Sequence, residues 1–203
     1  MSIPYYELDI FQISGAADVG KWRHLEATKR SKDKGFTNDS WTGHIEAACS
    51  EFAFSLWVHC PWHMGVNEGH APDVGPYQVR SRPLIRKGQR LKPKPTDNCL
   101  TLRPRDQPEA KPNQVFVAVA YESPRYMFFG WMYAHEAAQP QYLDGYGSLP
   151  DAWFVPYADL HDMDDLPSED LAYSIKGPPR AGPPKRPNGK GSELPLAPET
   201  PSS

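Results

Sequence analysis

The spacing of hydrophobic and polar positions changes twice along this chain. Over 43–57, Ile45, Ala48, Cys49, Phe52, Ala53 and Leu56 recur at i, i+3, i+4 and i+7, which predicts a helix with one buried face. Glu51 falls opposite that stripe and Glu46 at its flank, so Glu51 is expected to be free to face a site. An earlier helix is predicted over 14–35, with Ser14 as N-cap, Val19, Trp22 and Leu25 as its apolar stripe, and Gly35 as its stop. Its last turns carry Arg23, Lys29, Arg30, Lys32 and Lys34, where cations offset the helix dipole.

After residue 76 the period becomes two. Strands are predicted over 77–82, 99–105, 114–122, 126–134 and 152–156. The run "QVFVAVAYE" is apolar almost throughout, as in a central strand covered on both faces. "SPR" between the third and fourth strands predicts a hairpin, and "AHEAAQP" leaves room only for a short helix before Pro140. The class is α+β: a mostly antiparallel mixed sheet with flanking helices.

Composition narrows this further. The 203 residues include 23 prolines, many of them in "KGPPRAGPPKRPNGKGSELPLAPETPSS" from Lys176 onward. That stretch has almost nothing to bury and is expected to be a disordered tail. The folded unit is therefore placed at 1–167 and an acidic-to-basic Pro-rich tail at 168–203. The acidic run at 161–170 is expected at the solvated edge of the domain. Lys176, Arg180, Lys185, Arg186 and Lys190 make the first half of the tail basic, suited to a phosphate backbone, an acidic partner or plain solvation. A net charge of -3 gives no global attraction to nucleic acid. No apolar run spans a membrane, and "MSIPYYELDIFQ" lacks the pattern of a signal peptide. With only Cys49, Cys60 and Cys99, the expectation is reduced thiols in a cytoplasm.

The candidate chemistry lies in "GHAPDVGPYQVRS", residues 69–81. Gln78 and Arg80 share one face of the strand and Tyr77 and Val79 the other, with Asp73 just before the Gly75-Pro76 corner. Magnesium takes oxygen ligands from one or two carboxylates, waters and a substrate phosphate. Asp73, the Gln78 amide oxygen, the Val79 carbonyl and Glu51 from the preceding helix can supply such a set. Arg80 beside it would offset charge developing on phosphorus. The same residues also make a good turn, in which Asp73 caps, Gly75 admits positive φ and Pro76 fixes φ. Both readings stand at this point. In "HCPWHMGVNEGH", His59, Cys60, His63 and His70 hint at zinc, but no second cleanly spaced pair completes a site, so the segment reads as an irregular connection. Trp62 fits either a loop anchor or a stacking platform for a base. The other tryptophans, Trp41, Trp57, Trp131 and Trp153, are expected mostly in the core.

The order helix-Glu, Pro-Asp, then two alternating residues on a strand resembles the PD-(D/E)xK, or restriction-endonuclease-like, nuclease superfamily. Within it the chain is similar to a group of small phage and prophage proteins. The matching pieces are "SEFAFSLW", "PDVGPYQVRS", "LTLRPRD" with Asp106, "VFVAVA", "FGWM" and "WFVPYADL", over roughly residues 40–165. The resemblance implies a magnesium- or manganese-dependent phosphodiesterase. Glu51 and Asp73 would be its metal ligands, Gln78 a weak ligand, Arg80 the phosphate clamp, and Arg82, Arg103 and Arg105 its DNA contacts. Two residues depart from the pattern. Arg80 stands for the usual lysine and cannot act as a base, and Gln78 stands for the acid, with one negative charge fewer. A silent scaffold that binds nucleic acid, or one that binds a host or phage protein, is the alternative. The sequence does not fix an oligomeric state.

Overall fold

The computed structural model describes residues 3–29, 40–66, 71–86, 89–90, 98–144 and 152–168. The expected tail from Lys176 and the predicted helix stop at Gly35 lie outside these residues. In chain order the elements are β1 (Tyr5–Glu7), α1 (Ile10–Lys29), α2 (Ser40–Val58), β2 (Tyr77–Pro83), β3 (Ile85–Arg86), β4 (Gln89–Arg90), β5 (Asn98–Leu102), β6 (Val115–Glu122), β7 (Arg125–Tyr133), α3 (Ala134–Ala137), β8 (Leu143–Asp144) and β9 (Ala152–Pro156). This is the α+β class expected from the sequence. No helix among the described residues is long and apolar enough to cross a membrane.

A four-stranded sheet in the order β1-β7-β6-β2 forms the middle layer. All its pairings are antiparallel except β2 with β6, which run parallel from Tyr77↔Val115 to Pro83↔Tyr121. β6 is buried on both faces, as its apolar run requires. Its Val115, Val117 and Val119 point into a core shared with Ala53 and Phe54 of α2, Tyr77 and Val79 of β2, and Tyr126 and Phe128 of β7. Phe116, Ala118 and Ala120 point the other way, into a second core with Leu100 and Leu102 of β5 and Val155 of β9. A three-stranded sheet, β5-β9-β8, covers that side. The molecule thus has three layers: helices, main sheet and small sheet.

α1 begins four residues earlier than the sequence reading placed it, and Ser14 lies inside it. Its start is fixed by a reciprocal cap: Gln12 N–H donates to Asp9 Oδ1 at 2.8 Å, and Asp9 N–H donates to Gln12 Oε1 at 2.9 Å. Leu8 and Ile13, just outside and just inside this box, share the helix-side core. The expected apolar stripe is inverted. Trp22 and Leu25 are exposed, and the buried positions are Ala16 and Gly20. The reason is close helix packing: a Cβ on Gly20 would lie 2.5 Å from Ile45 Cα and 2.8 Å from the His44 carbonyl oxygen. Small residues carry this contact, so the large ones are turned outward. Trp41, expected in the core, is also exposed.

Two further expectations change. The predicted strand 99–105 stops at Leu102, because Pro104 opens a 3-10 turn, Pro104–Asp106. The acidic run is only partly a solvated edge. Met163 enters the helix-side core, Trp131 and His161 exchange backbone hydrogen bonds, and Tyr77 Oη donates to the Pro167 carbonyl at 2.5 Å.

Gly20→Ala should lower stability by about 1–3 kcal/mol through overpacking, outweighing the roughly 1 kcal/mol that alanine gains in helix propensity. A urea midpoint equal to or above wild type would show that the helices do not approach this closely.

Candidate functional site: a row of charges across a sheet edge

The stretch "HCPWH" ends α2 and turns the chain back. His59 takes the left-handed conformation (φ 57°), and Cys60 N–H donates to the Ser55 carbonyl at 3.1 Å, closing the helix with a Schellman bond. Pro61 follows, where a helix cannot continue. Trp62 then reaches back to α2. Its ring packs on Phe52 with centroids 5.0 Å apart, and its Nε1–H donates to Glu51 Oε2 at 3.0 Å. The loop-anchor reading of Trp62 is the one the geometry matches. His63 Nδ1 lies 2.8 Å from the Pro72 carbonyl oxygen, and His70 falls outside the described residues. No group of three or more His, Cys, Asp or Glu side chains able to hold a metal occurs among the described residues.

Glu51 is not free to face a site. It is buried, with a side-chain exposure of 7%, between Trp62 and α1. Arg23 Nη1 pairs with its Oε1 at 2.7 Å, while Arg23 Nε and Nη2 donate to the Gly65 and His63 carbonyls. Burial works against the Arg23 charge, but the adjacent Glu51 outweighs it and the guanidinium pKa is raised. Arg23, read from the sequence as dipole compensation, is therefore the counter-ion of a buried acid. Its place on α1, 28 residues before Glu51, gave no local signal.

Asp73 lies at the corner before β2. Val74 and Tyr77 form a tight backbone pair around Gly75 (φ 47°) and Pro76. The Asp73 Oδ2 accepts from Val79 N–H at 2.8 Å. In a parallel pair alternate residues turn their backbone groups away from the partner strand, so this bond lies on the open edge of β2. The carboxylate stands where a further strand would bond. Arg80 Nη1 donates to the Val79 carbonyl at 3.0 Å on the same edge, and Pro83 at the strand's end has no N–H to offer.

Gln78 and Arg80 lie on the small-sheet face of β2, opposite the face that packs on α2. Arg80 is held from three sides. Its Nη2 donates to Asp106 Oδ1 at 2.9 Å, and its Nη1 donates to Gln78 Oε1 at 3.3 Å and lies 3.7 Å from Asp73 Oδ2. Its guanidinium carbon sits 5.0 Å over the Phe116 ring. Gln78 Nε2 donates to the Ala71 carbonyl at 2.9 Å. Asp106 also accepts from Arg103 N–H at 2.8 Å, which fixes the 3-10 turn. The result is a row of charges, Arg23, Glu51, Asp73, Arg80, Asp106, in which two acids stand side by side between two arginines. Glu51 is close enough to disfavour the charge on Asp73. Burial and the Glu51 charge push Asp73 up to about 7, against the pull of Arg80, the Val79 N–H and Arg23.

Beside Arg80 is a polar cleft of about 20 Å³, lined also by Gln78, Arg105, Asp106, Lys111 and Gln114, with Phe116 as floor. Water needs roughly 10–15 Å³, so the cleft has room for about one water. Arg105 is exposed at its rim, whereas Arg82 and Arg103 are half-buried. Arg103 falls to about 10, first through burial and then through repulsion by Arg105, with Arg80 adding to it, so it still carries its proton at neutral pH.

The sequence-predicted residues therefore gather only in part. Asp73 touches both halves of the row, Glu51 belongs to the helix side, and Gln78 and Arg80 belong to the small-sheet side. The donor set does not fit a magnesium ion as it stands. Both Glu51 oxygens, Asp73 Oδ2 and Gln78 Oε1 accept hydrogen bonds from protein donors, and two guanidinium charges occupy the neighbourhood a dication needs. Compared with known proteins, the chain matches no family model, no curated protein and no solved structure.

Removing the cation from a buried pair leaves an uncompensated charge. Arg23→Met should cost about 3–5 kcal/mol in urea unfolding, and adding Glu51→Gln to it should recover more than half of that loss. Additive losses would show that the two groups do not depend on each other.

Asp73 binds its proton more tightly in the folded chain than in the unfolded one, where its pKa is near 4. Between these values the native state holds more protons, so stability should fall as pH rises from about 4 to about 7 and level off above. In Asp73→Asn this contribution should vanish. Identical pH profiles for the two proteins, by thermal melting, would contradict the assignment.

Proposed function

We propose that this chain is a nuclease-like scaffold, related to the restriction-endonuclease-like fold, that binds a phosphodiester backbone without cleaving it. One observation carries the reading. Where the resemblance calls for metal-ligand carboxylates, arginines already supply the counter-charge, Arg23 to Glu51 and Arg80 to Asp73 and Asp106. A protonated guanidinium offers neither the divalent charge nor the base that hydrolysis uses. The departures from the superfamily pattern agree with this. Arg80 is spent on tying β2 to the 3-10 turn, and Gln78 orients Arg80 with the oxygen it would otherwise lend to a metal.

The binding half of the proposal rests on the rim of the cleft. Arg80, Arg105 and Lys111 line it with Asp106, Arg103 lies beside Asp106, and the charges of Arg105 and Arg80 both oppose that of Arg103. A phosphate oxygen relieves that opposition. The cleft's lining offers cationic side chains, which suits backbone attachment and not recognition of a base.

Binding to a duplex of random sequence should weaken with salt, with a log–log slope of about -2 to -3, and Arg105→Gln should reduce that slope by about 0.9. Plasmid nicking with magnesium or manganese should be absent in wild type and in Gln78→Glu, whose new carboxylate pairs with Arg80. A salt-independent association would sink the backbone reading, and metal-dependent nicking abolished by Asp73→Asn would restore the enzymatic one.

A further inference from the structure

The outward face of α1 presents Phe11 at 85% exposure, Trp22 at 61% and Leu25 at 42%. At 100° per residue these three fall within about 60° of one another, opposite Ala16 and Gly20, which pack on α2. The polar and small residues of that face have a pattern of their own. Ser14 and Gly15 leave a notch one turn beyond Phe11, and a Cβ built on Gly15 meets nothing within 4 Å. Trp22, a large knob, comes seven residues later.

Knob and notch lie on either side of residues 18–19, close to the middle of a helix that runs from Ile10 to Lys29. That placement is what an isologous contact requires, since each surface must complement itself after a half-turn. We propose that a second copy of this chain docks here, α1 antiparallel to α1. Trp22 of each copy then covers Ser14 and Gly15 of the other, and Phe11 lies against the turn that bears Trp22 and Leu25. The helix dipoles agree with this direction, since antiparallel packing sets the N-terminal end of each α1 beside the C-terminal end of the other. The intervening Asp18–Lys21 and Glu26–Lys29 pairs are satisfied within each helix, at 2.8 and 2.6 Å. A parallel pairing would set Trp22 against Trp22 and leave the notch empty.

The area is adequate. With large aromatic side chains near 150–250 Å² each, the exposed parts of Phe11, Trp22, Leu25 and the neighbouring Ile10 offer on the order of 400–500 Å² of apolar surface. A standard interface covers about 800 Å² per partner, a little over half of it apolar. This face is remote from the cleft beside Arg80, so the inference is independent of the proposed function.

Sedimentation velocity on the full chain tests it. Wild type should have the mass of two chains at about 100 µM, and Gly15→Arg should raise the dimer dissociation constant at least tenfold. The new side chain at position 15 projects into open space, and replacing a helix-interior glycine favours the helix, so its melting temperature should stay level or rise. Phe11→Ser/Trp22→Ser removes the knobs without filling the notch, and should also give single chains. A wild-type protein that stays a single chain at that concentration overturns the proposal. So does a dimer that persists in both variants.

Discussion

A carboxylate taken out of water needs a cation or several donors, and Glu51 obtains both from outside its own helix. Arg23 arrives from α1 and Trp62 from the segment that leaves α2. Much of the molecule's arrangement follows from satisfying that one group. α1 must lie close against α2 for Arg23 to reach, hence the small residues Ala16 and Gly20 at the crossing. The chain leaving α2 must fold back at once, hence the left-handed His59 and Pro61. Trp62 pairs with Val74, and Val74 forms the corner that launches β2. A single buried acid thereby connects both helices to the edge of the main sheet.

From Glu51 the same electrostatics continue outward. Asp73 cannot take a full negative charge beside it without a price, and Arg80 moderates that cost from the far side of β2. Arg80 is in turn anchored by Asp106 and by the Phe116 ring. Ion pairs and hydrogen bonds link the row into one unit spanning three elements and a turn. A metal site built from the same carboxylates would have to dismantle it. That competition, more than the absence of any one ligand, argues for a structural use of these residues.

Some of this was legible in the sequence. The existence of α2, the two-sided burial of β6, the β6–β7 hairpin, the final strand at 152–156 and the turn chemistry of "PDVGP" all rest on local spacing and recur in the fold, whereas the single buried face expected of α2 does not, since Ser50, Glu51, Phe54 and Ser55 off the stripe are buried too. The errors have a common cause. On α1 the sequence pattern points to the largest apolar residues as the buried stripe, but Gly20 and Ala16 are buried because the partner backbone comes so near. Nothing in the spacing of α2 requires Glu51 to be buried, and the groups that bury it, Arg23 and Trp62, come from other segments. β1 has three residues, too few for a pattern. The parallel pairing of β2 with β6 is a decision about topology that no strand announces by itself. Long-range counter-charges and close backbone contacts are invisible to periodicity.

The mixed sheet has a consequence for how the chain reaches this structure. β6 and β7 meet across Ser123 and Pro124, whereas β2 joins β6 only after residues 84–114 have been spanned, a stretch that includes β5 of the other sheet. Closing the longer loop costs more chain entropy before any contact rewards it. The hairpin is thus the natural nucleus, and β2, with the corner that carries Asp73, docks late. Weakening that corner speeds unfolding more than it slows folding. The lifetime of the native state is then governed at Asp73 and Arg80, while the speed of assembly is governed on the opposite side of β6.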